Sequence, residues 1–288
     1  MSIIDRLNEM RQHGGNPCTH GLTDEVILRF AAHDDQLTEA IEAAYAAFLE
    51  LKDDQPEILA MDEEAQVREI QANYINFYPT DAINPYVGLA GRGPWVISLK
   101  GAVLYDAGGY GMLGFGHAPE AVLEAMNQPH LMANIMGPNL SQKRLSDMLR
   151  REIGHSREDC PFEHFLCMNS GSEAVTVGAR ISDINAKLMT DPGGRYANKP
   201  IRLLSLAGGF HGRTQRPAQF SDSTRQKYCN IMASFRDNDN LITVDPNNLE
   251  QLRQVYDWAG SNGVFIEAFF FEPVMGEGNP GMAITPEF

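Results

Sequence analysis

The stretch Ile201-Arg202-Leu203-Leu204-Ser205-Leu206-Ala207-Gly208-Gly209-Phe210-His211-Gly212-Arg213-Thr214 places an apolar run of strand length directly before a glycine-rich turn. Such a run, bounded by turn residues, reads as a buried strand. Working outward from it, Phe162 to Met168 is a second short apolar run and Ser172 to Met189 reads as a helix. Leu241 to Val244 is apolar again, Asn247 to Ala259 is helical, and Val264 to Phe271 is strongly apolar. Strands alternating with helices at this spacing predict crossover units and a largely parallel sheet, hence an α/β domain over residues 141–288.

The upstream sequence has a different texture. In residues 1–80, Asp34-Asp35 can cap a helix running through Leu37, Ile41, Ala44, Tyr45, Phe48 and Leu51, spaced by three and four. A second helix, Asp62 to Tyr74, places Val67, Ile70 and Tyr74 on one face. This acidic helical region is expected to pack on a larger body, its charge forming a solvated face. Residues 81–140 turn to strands and glycines. Trp95 to Leu99 and Ala102 to Tyr105 flank Lys100-Gly101 as a hairpin, and two helices follow, Pro119 to Met126 with Pro at its opening position and Ser141 to Ile153. The hairpin and glycine-rich segment reads as a small domain or linker.

Composition narrows the functional classes. The 288 residues carry 38 Asp plus Glu against 23 Lys plus Arg, a formal charge of −15, which argues against a nucleic-acid binder. The most apolar run, Val264 to Val274, is broken by Glu267 and Glu272, so no membrane span is expected. The N-terminus lacks a basic head followed by an apolar core, so no secretory signal is read. Cys18, Cys160, Cys167 and Cys229 form no C-x-x-C pair and read as reduced, mostly buried thiols of a cytoplasmic protein.

Four segments could carry chemistry. Gly109, Gly111 and Gly114 spell G-x-G-x-x-G after the strand-like Val103 to Tyr105, but Phe115 to Pro119 delays the helix that a dinucleotide site needs. A glycine-rich turn is the plainer reading. Asn169-Ser170-Gly171-Ser172-Glu173-Ala174 lies before a long helix, where free N–H groups and the Ser170 and Ser172 hydroxyls suit an anion. An ordinary N-cap explains the same residues. Phe210 beside His211 between glycines could stack on a planar ring, or be one buried aromatic in a loop. Glu272 and Glu277, at the exit of the last apolar run, could recognise an amine or tune a neighbour, or simply mark a polar strand exit. One anion-binding turn, one aromatic turn and one acidic turn describe a pocket for an aromatic phosphate.

Asn169 to Ala174, Gly209 to Thr214 and Glu272-Pro273-Val274-Met275-Gly276-Glu277-Gly278 resemble, in order and spacing, the class III (ω-) aminotransferases. Asp106, Gly108-Gly109 and Gly114 to Pro119 match that family's N-terminal pattern. The resemblance covers about residues 85–288 and leaves 1–80 unexplained. It implies a fold-type I transferase large domain, incomplete at its C-terminus, binding pyridoxal 5'-phosphate. Ser170, Gly171 and Ser172 would hold the phosphate, Phe210 would stack on the pyridine ring with His211 beside it, and Glu272 would face the ring. Glu277 would lie on the substrate side. The implied reaction moves an amino group from an amine or amino acid to a 2-oxo acid, in a homodimer with no nucleic-acid or membrane partner.

The family's Schiff-base lysine and pyridine-nitrogen aspartate follow the Glu-Pro-Val segment. Here Lys52, Lys100, Lys143, Lys187, Lys199 and Lys227 all precede it, and Thr285-Pro286-Glu287 reads as a helix opening before Phe288. The expectation is an N-terminal portion truncated before the reactive centre, and inactive alone. A noncatalytic binding or regulatory protein of the same fold, and a nicotinamide-dependent oxidoreductase through Gly109 to Gly114, are the alternatives.

Overall fold

The computed structural model describes residues 1–76, 80–107, 114–131, 136–236 and 239–288. The chain forms two compact units, Met1–Gly137 and Pro138–Phe288.

The first unit contains α1 (Ile3–Gln12), α2 (Asp24–Ala31), α3 (Asp35–Asp54), α4 (Pro56–Ala60), α5 (Glu63–Gln71) and α6 (Glu120–Met126). Its three-stranded antiparallel sheet is β1 (Gly88–Arg92), β2 (Trp95–Ser98) and β3 (Val103–Tyr105), in that order. The β2–β3 hairpin was legible; β1, with two glycines in five residues, was not. α3 buries Leu37, Ala40, Ile41, Ala44 and Phe48, spaced by three and four, in one core with Trp95, Ile97 and Val103 of the sheet. Asp34 does two jobs at the start of α3. One carboxylate oxygen accepts from Gln36 N at 3.0 Å and the other from the Trp95 indole at 2.8 Å.

Two expectations fail in this unit, and a third, on the cysteines, fails along the chain. α5 buries Glu63 and Gln66, while Ile70 and Tyr74 are exposed. The physical reason is polar: the Glu63 carboxylate accepts from the backbone N–H groups of Cys18 and Thr19, both at 2.7 Å, and orders that loop. Pro119 is the N-cap of α6, not its first residue. The cysteines are free but not buried: Cys18, Cys167 and Cys229 are exposed and Cys160 is half-buried.

The second unit contains α7 (Leu140–Gly154), α8 (Gly171–Thr190), β4 (Ile201–Leu206), α9 (Gln215–Ala218), α10 (Asp222–Ile231), β5 (Leu241–Val244), α11 (Leu249–Ser261) and β6 (Phe265–Phe270). The three strands form a parallel sheet in the order β5-β4-β6. Alternation along β4 sends Leu204 and Leu206 to a core with Val244, Leu252 and Val255, and Leu203 to one with Val175, Ala179 and Phe220. Helices thus cover both faces, which is why the central strand reads as a nearly continuous apolar run.

Phe162 to Met168 pairs with no strand among the described residues, and Phe162, Leu166 and Met168 are exposed. Apolar composition alone does not make a strand without a ladder partner. At residues 285–288, Phe288 N donates to Thr285 O at 3.1 Å and to Thr285 Oγ1 at 3.3 Å.

Candidate active site

The three described strands of the second unit point their carboxyl ends the same way, and the turn that follows β4 meets both the N-terminus of α8 and the turn that follows β6. Ser170 is the N-cap of α8: its hydroxyl accepts from Glu173 N at 3.2 Å, and the Glu173 carboxylate accepts from Asn169 N at 3.0 Å. The capping reading of this serine is therefore right, and it leaves the neighbouring donors open. Among the described residues, the N–H groups of Gly171 and Ser172 have no hydrogen-bond acceptor, at the positive end of a 20-residue helix.

The first and second turns are stitched together. Ser172 Oγ accepts from Arg213 N at 3.2 Å, its carbonyl accepts from the Thr176 and Thr214 hydroxyls at 2.7 and 3.3 Å, and those hydroxyls lie 2.9 Å apart. Gly212 permits this approach. Its φ is +123°, and a Cβ there would stand 2.5 Å from Ser172 Oγ. The Ser172 hydroxyl, used as an acceptor, keeps its own proton to donate.

The second and third turns are joined by Glu272. One carboxylate oxygen accepts from Phe210 N and the other from Gly276 N, both at 2.9 Å. Glu277 holds Arg213 Nη2 at 3.1 Å, and the Arg213 guanidinium lies over the Phe210 ring, 5.3 Å from its centroid. Ser172, Phe210 and Glu272, drawn from three turns distant in sequence, are thus linked through two short hydrogen-bonded steps.

His211 turns inward. Its Nε2 lies 3.1 Å from Ser205 Oγ, its N–H donates to Ser221 Oγ at 2.9 Å, and its ring packs against Phe220 and Phe270, which are stacked at 3.8 Å. Burial pushes the imidazole below its ordinary pKa, opposed in part by the charge of Glu272.

Residues not singled out in the sequence reading also build this site: Ser205, Ser221 and Thr176, and Asp222, which accepts from Gly208 N at 2.8 Å. The period-two alternation of β4 puts Ser205 on the same face as Leu203, the one signal that could have found it. In the first unit, Asp106 and His117 pair at 3.1 Å beside a cavity of about 340 Å³ lined also by Gln36, Tyr105 and Phe115. Of the G-x-G-x-x-G stretch, residues 108–113 lie outside the described residues.

The profile of the class III aminotransferases matches residues 80–287. The chain belongs to that family. Over 196 residues it is 29% identical to an ornithine aminotransferase of Emericella nidulans, covering 62% of this chain and 40% of the relative. The fold superposes on the ornithine aminotransferase of Toxoplasma gondii with a TM-score of 0.59 at 20% identity, over 82% of this chain and 50% of that one. That crystal structure holds PLP at partial occupancy in its active site. A transaminase from Virgibacillus superposes with a TM-score of 0.53 at 18% identity, over 75% of this chain and 49% of that one. The chain spans about half the length, or less, of the relatives it matches. The fold is that of these aminotransferases, and the α/β reading with a parallel sheet holds.

Proposed function

We propose that the chain binds pyridoxal 5'-phosphate at the three joined turns and forms the cofactor-binding part of an aminotransferase. The observation that carries this is the pair of N–H groups at Gly171 and Ser172 with no acceptor among the described residues, beside a hydroxyl with a proton to donate and a turn carrying Phe210. These donors suit a dianionic phosphate. Ser170 shapes the cradle as the helix cap, Phe210 offers a partly exposed ring face to a pyridine, and Glu272 fixes the Phe210 backbone. His211 supports that turn from beneath as a neutral, buried ring. Glu277, half exposed and holding Arg213, stands on the substrate side. The cofactor, when bound, supplies the electron sink for amino-group transfer between an amine or amino acid and a 2-oxo acid.

A second reading, noncatalytic binding by this chain alone, is favoured by one observation. None of Lys52, Lys100, Lys143, Lys187, Lys199 and Lys227 hydrogen-bonds to Ser172, Phe210, His211 or Glu272. One experiment addresses both readings. Pyridoxal phosphate titrated into the chain is expected to bind saturably, with inorganic phosphate competing, and borohydride treatment of the complex is expected to leave the chain mass unchanged. Absence of saturable binding overturns the site; a stable lysine adduct overturns the noncovalent reading.

A homodimer is the proposed assembly, supported by exposed apolar side chains along α7 and α8. A cytoplasmic location is supported by four free cysteines. Among the described residues no helix is long and apolar enough to cross a membrane.

A further inference from the structure

Glu267 interrupts the apolar run of β6, and its side chain is 3% exposed. A buried carboxylate persists only when it is paired and hydrogen-bonded. One of its oxygens accepts from Ser182 Oγ of α8 at 2.7 Å and from Arg216 Nη2 of α9 at 2.5 Å. Arg216 is itself held by Gln219 Oε1 at 2.9 Å, with Asp183 at 4.0 Å. The three elements meeting at this carboxylate carry the three turns of the site. α8 begins at the Gly171 and Ser172 donors, α9 starts directly after Thr214, and β6 ends at Phe270, two positions before Glu272.

We propose that Glu267 is a positioning residue for the cofactor site, fixing the α8 N-terminus against the Phe210 and Glu272 turns; this rests on the proposed function. Its carboxylate touches neither turn. It acts by holding the bases of the three segments in one register, so that the Ser172–Arg213 and Phe210–Glu272 hydrogen bonds close at the far end. The contact is directional: one guanidinium N–H and one hydroxyl converge on a single Glu267 oxygen and must both point at it to bond, whereas apolar packing of similar volume accepts several arrangements.

The test uses the whole chain with two variants, Glu267→Gln and the double substitution Glu267→Leu with Arg216→Met. The second replaces the ion pair by apolar side chains and leaves no lone buried charge, a change that commonly preserves folding. Circular dichroism establishes that each variant is folded at the measuring temperature. Two readouts are compared with wild type: affinity for pyridoxal phosphate, and hydrogen exchange of the Phe210 and Arg213 amides without cofactor. In the folded double variant, affinity is expected to fall at least tenfold and both amides to exchange at least tenfold faster; Glu267→Gln is expected to give smaller changes in the same direction. A folded double variant in which either readout stays at the wild-type value overturns the positioning role. If the wild-type chain does not bind pyridoxal phosphate, the proposed function fails, and amide exchange alone decides whether Glu267 positions the turns.

Discussion

His211 is a titratable ring in an aromatic wall, and its surroundings set a pH dependence with a definite sign. Burial among Phe220 and Phe270 lowers its pKa below the ordinary 6.5, so the unfolded chain binds more protons than the folded one in the window beneath that value. Stability is therefore fully present above about pH 6.5 and is lost as pH falls through it toward the lowered value. Urea midpoints are expected to drop between about pH 7.5 and pH 5.5, and to drop less in a His211→Gln variant, which removes this one titration while the other histidines remain. Equal slopes for the two proteins would show that His211 is not the group responsible. The neighbouring contacts explain why an unprotonated ring suits this place. Nε2 faces the Ser205 hydroxyl, which can donate to a neutral ring nitrogen, and no carboxylate hydrogen-bonds to the ring.

At the scale of the element, Asp34 is the residue on which α3 and β2 both depend, because one carboxylate caps the helix and satisfies a buried indole. Asp34→Ala loses the cap, about 1 kcal/mol, and leaves the Trp95 N–H unpaired, about 1–3 kcal/mol, for a total of about 2–4 kcal/mol. Asp34→Asn keeps one acceptor and is expected to cost less. Denaturant unfolding of the two variants checks the order; equal, sub-kilocalorie losses would mean that the indole bond contributes nothing. The cap itself was legible, since Asp34 precedes an apolar period of three and four, whereas its bond to Trp95 spans 61 positions and has no local signature. The same distinction runs through the chain. β4, β5 and β6 were readable because they write themselves as apolar runs, and the turns after β4 and β6 were readable because they follow those runs; the turn before α8 was readable from its own small residues, since the Phe162 to Met168 run ahead of it pairs with no strand among the described residues. Glu63 and Gln66 were not readable, because Glu63 answers to the N–H groups of a loop some 45 residues away and Gln66 to the carbonyl of Ile58, at 2.8 Å. Glu267 looked like a flaw in a strand, since its partner Arg216 is 51 positions distant.

For the whole molecule, charge is distributed unequally, and this bears on self-association. Residues 1–137 hold 20 acidic against 7 basic side chains, while residues 138–288 hold 18 against 16. Repulsion between copies is therefore concentrated in the first unit, and the second is close to neutral. Both units expose apolar side chains, and those on the nearly neutral second unit include Leu140, Leu145 and Met148 on α7, and Ile181, Ile184 and Leu188 on α8, at 66%, 57% and 70% exposure for the last three. Ile181, Ile184 and Leu188 are spaced by three and four, so they share one face of the helix, opposite to the side that buries Ala179 and Ala186. An apolar stripe on a nearly neutral surface is the signature of a covered interface. Light scattering is expected to give about twice the 31.9 kDa of one chain, with association strengthened by salt, because screening relieves the repulsion of the acidic unit while leaving apolar burial intact. Ile184→Asp places a charge in the stripe and is expected to shift the population to single chains without lowering the unfolding midpoint by more than about 0.5 kcal/mol, as befits a solvent-exposed position. A wild-type chain that scatters as 31.9 kDa at concentrations on the order of 10 μM would remove α8 from any subunit contact.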